Sequence, residues 1–245
     1  MPSACAAFAR GSSSSGDKNE VVIEDADRAD ELAGLALELN DAATIHDTTE
    51  RLLEVAAIVS EAVRDLGLEP VVVGGLALAH WSDNAFLTAD IDVVMRRPAG
   101  LPARLAALGF RNEGREWVLG EHDISFEAPS ETLEPGDEAK RTELPSGRSV
   151  LVLSPEDLLL WRLREWVHWG AVTGFRQAAY LLLTEVVDSE RLERRAAEEG
   201  LTLAFGELRR LTGAIEKGRA FEEWELSEIA RRVERESYRH DDDQT

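Results

Sequence analysis

The chain is short of sulfur and short of positive charge. A single cysteine, Cys5, stands among 245 residues. No internal disulfide can form, and nothing points to an oxidising compartment. Cys5 itself reads either as a nucleophile or as an inert thiol on a tail. No apolar run approaches the ~18–20 residues that a membrane-spanning helix needs. The first ten residues lack the basic start and the full apolar stretch of a signal peptide. These absences predict a cytoplasmic protein with no membrane partner.

Lysine and arginine number 27 against 48 aspartates and glutamates, a formal charge of −21. A protein that grips phosphate backbones offers a basic face. None stands out here, which argues against extended nucleic acid as a partner. Arg191, Arg194, Arg195, Arg209, Arg210, Arg231, Arg232 and Arg235 are interleaved with glutamate at helical spacing. They read as solvated helix faces carrying i,i+4 ion pairs rather than as a nucleic-acid patch. Zinc spacings, the P-loop, GxGxxG and GxSxG are all missing.

Hydrophobic residues make up 44% of the chain, enough for a sizeable core. Residues 1–20 read as a tail, with a glycine–serine stretch from Gly11 to Gly16. Residues 240–245 read as a second one. Apolar spacing predicts helices over 23–40 and 48–66, so 21–67 forms an N-terminal helical part. From 68 to 153 the texture becomes mixed α/β. Strands are predicted at 70–73, 89–95, 110–119, 122–127 and 149–153, with helices at 76–81 and 98–108. Ser154, Pro155 and Asp157 form a strong helix start. Residues 154–239 read as a helical C-terminal region.

Asp90-Ile91-Asp92 carries the chemical argument. Alternate residues of a strand face one side, so the two carboxylates project together while Ile91 enters the core. Side by side they raise each other's pKa unless a cation lies between them. Oxygen ligands of this kind suit Mg²⁺. The alternative is a strand face with two solvated acids. Upstream, Gly74-Gly75 ends a buried strand and opens a helix. Backbone N–H groups there can approach phosphate, helped by the helix N-terminus, or the pair is simply a tight turn. Asp123, on a later strand, offers a third carboxylate for a two-metal clamp.

The combination resembles the nucleotidyltransferase (polymerase-beta-like) superfamily. The stretches Val71–His80 and Leu87–Val93 look like the branch of AbiEii-type abortive-infection toxins and minimal nucleotidyltransferase antitoxins. Val150–Leu163 is similar to it as well, and the resemblance covers roughly residues 50–185. It implies a nucleotidyltransferase fold: a short mixed β-sheet with flanking helices and a helical C-terminal part. It also implies Mg²⁺-dependent transfer of a nucleoside monophosphate from an NTP to an acceptor hydroxyl, with release of pyrophosphate. Asp90, Asp92 and Asp123 would bind two Mg²⁺ ions. Gly74, Gly75 and Thr88 would hold the nucleotide. Arg162 stands where the branch commonly has lysine and would contact phosphate. Two departures matter. Phe86 stands where the branch often has arginine, and Arg176-Gln177 replace a Lys–Asp pair. A degenerate relative that binds a partner protein, as antitoxin or regulator, is therefore the rival reading. A second rival is an acidic α/β domain in which Asp90-Ile91-Asp92 is incidental.

Overall fold

The computed structural model describes residues 18–184 and 186–242. The tails expected at 1–20 and 240–245 fall mostly outside those residues, as does Cys5. The described chain opens with helix α1 (Lys18–Ala42), then α2 (Thr48–Val63). Asp47 caps α2 by accepting the Glu50 N–H at 2.8 Å. One face of α2, including Leu52, Val55, Ala56, Val59 and Val63, is buried against the sheet layer. No described helix is long and apolar enough to cross a membrane.

Seven strands form one mixed sheet, as the α/β reading expects. They are β1 (Val71–Val72), β2 (Asp90–Val94), β3 (Arg111–Glu113), β4 (Glu116–Leu119), β5 (Ile124–Ser130), β6 (Ala139–Glu143) and β7 (Ser149–Leu153). Their order is β3-β4-β5-β2-β1-β7-β6. The two-residue β1 is central and buried, antiparallel to β2 and parallel to β7. Helix α3 (Gly74–Trp81) joins β1 to β2, and α4 (Leu101–Ala107) follows β2. The indole N–H of Trp81 donates to the Leu153 carbonyl at 2.8 Å, tying α3 to the end of β7.

Two strand expectations change. The predicted strand over 110–119 breaks into a hairpin, because Gly114 turns the chain with φ +87° between Glu113 and Glu116. Strand β6 lies in a stretch that reads as polar loop. It is an edge strand, paired to β7 through backbone hydrogen bonds and one side-chain bond from Arg141 Nη1 to Ser149 Oγ at 3.0 Å, so its largely exposed side chains need no apolar alternation.

Helix α5 (Pro155–Trp169) starts as its sequence predicts, with the Ser154 hydroxyl accepting the Asp157 N–H at 3.2 Å. Then come α6 (Val172–Leu183), α7 (Ser189–Glu198), α8 (Thr202–Glu216) and α9 (Glu223–Asp242). Trp166 is fully buried, packs on Phe175 with ring centroids 5.0 Å apart, and donates its indole N–H to the Leu226 carbonyl at 3.1 Å. It joins α5, α6 and α9 into one helical layer.

The arginines of α7 depart from the solvated-face expectation. Arg194 is exposed, but Arg195 is buried and Arg191 nearly so. Arg195 reaches Asp157 and Asp137 at 3.1 Å each and Glu199 at 2.6 Å. Arg191 reaches Asp157 at 2.6 Å and Glu156 at 3.3 Å. Farther along, the expectation holds. Arg209 pairs with Glu193, and both Arg210 and Arg232 pair with Glu207 on the surface.

Candidate active site

Gly74 and Gly75 turn β1 into α3. Gly74 holds φ at +61°, a conformation that side-chain-bearing residues rarely adopt. A Cβ there would lie 2.5 Å from Asp92 Oδ2. A Cβ on Gly75 would lie 2.8 Å from Thr88 Oγ1. The two glycines therefore let backbone lie directly on the segment that carries Asp90 and Asp92. The Val73 N–H donates to the Asp92 carbonyl at 2.9 Å, and the Asp90 N–H donates to Thr88 Oγ1 at 3.3 Å. Thr88 thus braces the start of β2. The first amides of α3 have no partners within the helix and open beside Asp92.

Ile91 and Val93 are buried, so Asp90 and Asp92 share the opposite face of β2, Asp90 exposed and Asp92 half-buried. In the parallel β2–β5 ladder, Asp90 lies opposite Ser125 and Asp92 opposite Glu127. In the antiparallel β5–β4 ladder, Glu127 lies opposite Glu116. A row of carboxylates, Glu116–Glu127–Asp92, crosses three strands with Asp90 beside it. Burial, then Glu127 and Asp90, push the Asp92 carboxyl above its usual range. Arg162 pulls it down and Glu116 adds to the rise.

Asp123 sits elsewhere. It precedes β5, is exposed, and holds φ at +54°. The register puts it one strand repeat, roughly 6.6 Å, beyond the residue opposite Asp90. Glu127 is the acid that lies across from Asp92. Residues 123, 125 and 127 alternate with buried Ile124 and Phe126, so periodicity treats Asp123 and Glu127 alike. Only the pairing register separates them.

Arg162 is on α5, close enough to Asp92 to lower its pKa, with Nη1 on Glu165 at 2.7 Å. Its Nε is buried without a partner. Gly174 fixes the backbone behind it, since a Cβ there would lie 2.5 Å from the Arg162 carbonyl. Phe86 and Arg176 serve packing and surface pairing. Phe86 meets Tyr180 edge-on, ring centroids 5.4 Å apart, and Arg176 pairs with Glu223 at 2.9 Å.

Another acidic trio offers a metal-like geometry. The carboxylate oxygens of Asp137, Asp157 and Glu199 all lie within 4.8 Å of one another. Arg195 contacts all three, and Arg191 contacts Asp157 again. The positive charge a cation would bring is already in place. Among the described residues, no such buried guanidinium is bonded to the Asp92 row. The row instead offers a raised Asp92 carboxyl held directly against the Gly74 backbone, which suits a hard divalent cation.

Gly74→Ala tests this close approach. The forced left-handed alanine should cost about 1–2 kcal/mol of stability. The displaced Asp92 should weaken Mn²⁺ binding roughly tenfold, a loss of the size seen when a ligand's support is disturbed. Unchanged Mn²⁺ affinity by calorimetry would separate the glycine turn from the acids.

No family model matches the chain, and no curated protein matches it. Among solved structures, the solution structure of the antibiotic-resistance factor ANT(2'')-Ia matches with a TM-score of 0.41 at 18% identity. The match covers 66% of this chain and 94% of that one.

Proposed function

We propose that the chain is a Mg²⁺-dependent nucleotidyltransferase. It would move a nucleoside monophosphate from an NTP to an acceptor hydroxyl and release pyrophosphate. One observation carries this reading: Asp90, Asp92 and Glu127 share a face directly against a glycine turn at the N-terminus of α3. Acids alone suit many roles, and a helix start alone suits many anions. Their juxtaposition suits a polyanion that arrives with its own cations.

Asp90, Asp92 and Glu127 hold two Mg²⁺ ions in this reading, with Glu127 in the place that the resemblance gives to Asp123. The ions, when bound, neutralise phosphate charge and align the attacking and leaving oxygens. The amides of Gly74 and Gly75 receive phosphate oxygens, and Arg162 adds a fixed positive charge. The acceptor oxygen bonds to the α-phosphorus as the bond to the pyrophosphate oxygen breaks. The hydroxyl proton passes to a carboxylate of the row. Positioning and charge neutralisation supply most of the rate.

Calorimetry with ATP, GTP, CTP and UTP, each with and without Mg²⁺, tests the reading. Binding of one or more of them that requires Mg²⁺ is expected. A folded wild type that binds none of the four at millimolar concentration would sink it. A second reading, nucleotide binding without transfer, is favoured by the packing and surface uses of Phe86 and Arg176. It predicts Mg²⁺-dependent binding with no pyrophosphate release in the presence of any acceptor, water included.

A further inference from the structure

The hairpin of β3 and β4 is an edge element, and every residue of β3 is exposed. Glu113 pairs with Glu116, so Gly114 and Arg115 form its tip. That tip overhangs the acid row. Arg115 Nη2 lies 3.1 Å from Glu127 Oε1, while the Arg115 side chain is 84% exposed. Glu127 is flanked on one strand by Asp92 and on the other by Glu116. A carboxylate between two carboxylates needs a counter-charge, and Arg115 provides it through one exposed contact.

We propose that Arg115 is an exchangeable counter-charge of this site. It neutralises Glu127 while no cation is bound, and moves to the nucleotide's phosphates once a cation takes its place. The proposal rests on the metal–nucleotide reading of the acid row. Three features support it. A single exposed ion pair is weak, so leaving it costs little. The residue sits at a glycine turn on a sheet edge and is braced by no other ion pair or hydrogen bond among the described residues. A guanidinium fork matches phosphate oxygens better than an ammonium would.

The two halves of the proposal predict effects of opposite sign, readable without catalytic turnover. Calorimetry of the full chain with Mn²⁺ alone should show Arg115→Ala binding about 2–5-fold tighter than wild type, the worth of an exposed ion pair. With inorganic triphosphate added at saturating Mn²⁺, the same variant should bind the anion about tenfold more weakly. The Mn²⁺ gain should vanish when Glu127→Gln is already present. Equal affinities in wild type and Arg115→Ala for both probes would overturn the proposal. So would weakening of both, which marks a structural prop. The underlying reading fails separately: if Glu127→Gln binds Mn²⁺ as wild type does, the acid row is not the metal site. Arg115 lies on an exposed turn, so its loss should leave the fold intact.

Discussion

Asp92→Asn is expected to cost at least about 100-fold in Mn²⁺ affinity and, in the same protein, to raise the melting temperature measured without metal. Both effects follow from one arrangement. Asp92 is half-buried, and burial together with Glu127 and Asp90 holds its carboxyl above the usual range. In the metal-free protein, its ionisation therefore works against folding. That penalty is absent below the unfolded-state pKa, where the group is neutral in both states and the fold keeps its full stability. Stability is lost as pH rises through the raised folded-state value and the penalty comes into force. At neutral pH the asparagine escapes that penalty. Allowing for solvent screening of a half-exposed group, the gain is on the order of half a kcal/mol. That is roughly 1–2 °C for a chain of this size. The metal affinity moves the other way, because a lost ligand costs more than the ~10–100-fold of a disturbed supporting group. Thermal melts with and without Mn²⁺ check both halves. A variant less stable than wild type in the absence of metal would mean that Asp92 supports the fold, and the cation reading would lose its electrostatic basis.

The parts of this site that are legible in the amino-acid sequence are those where local geometry permits few residues. Gly74 is readable because its φ of +61° and its contact with Asp92 exclude a side chain. Asp90 and Asp92 are readable because the period of a strand alone places them together. Ser154 and Pro155 announce α5 through capping chemistry confined to one turn. What stays hidden depends on partners distant in sequence. Asp123 and Glu127 have the same parity on the same segment, and the β2–β5 register alone selects Glu127. Arg195 and Glu199 show the i,i+4 spacing of a surface pair. That spacing carries no sign that Asp137 and Asp157 close over the same arginine. Strand β6 is polar after Ala139, and most of its pairing with β7 is written in backbone that every sequence shares. The hairpin tip at Arg115 is marked by Gly114, but its position over Glu127 follows from three strands pairing in order.

Replacing Arg195 by methionine is expected to destabilise the protein by about 3–5 kcal/mol, the cost of leaving buried carboxylates without their cation. Methionine keeps much of the volume, so packing contributes little to the loss. The side chain is 5% exposed and bonds four carboxylates: Asp137 of the β5–β6 loop, Asp157 of α5, Glu198 in the last turn of α7 and Glu199 just beyond it. Its removal loosens the attachment of α7 to α5, the helix that carries Arg162. The pH response distinguishes this network from a metal centre. For Asp157, burial raises the pKa, but hydrogen bonds from Arg191, Ser154, the Glu138 N–H and Arg195 outweigh it and leave the carboxyl low. Its stabilising contribution is present above the ordinary aspartate value and is lost as pH falls through the depressed one. Asp137 and Glu199 lie on the other side, raised chiefly by burial. They take up protons first on acidification, and their contribution grows as pH falls toward their unfolded-state values. Through mildly acidic pH the cluster should therefore hold, and it should give way only when Asp157 is protonated. Arg195→Met removes a partner of all three acids, so its deficit should be largest at neutral pH and narrow as pH falls and the acids are protonated. Denaturant melts from pH 7 to 3 measure this, and Mn²⁺ supplies the control. A cation that stabilised wild type through Asp137, Asp157 and Glu199 would lose its effect in Asp157→Asn and keep it in Asp92→Asn. The opposite pattern is the one expected, because Arg195 already occupies the centre of that trio while the row at Asp92 awaits its charge from solution.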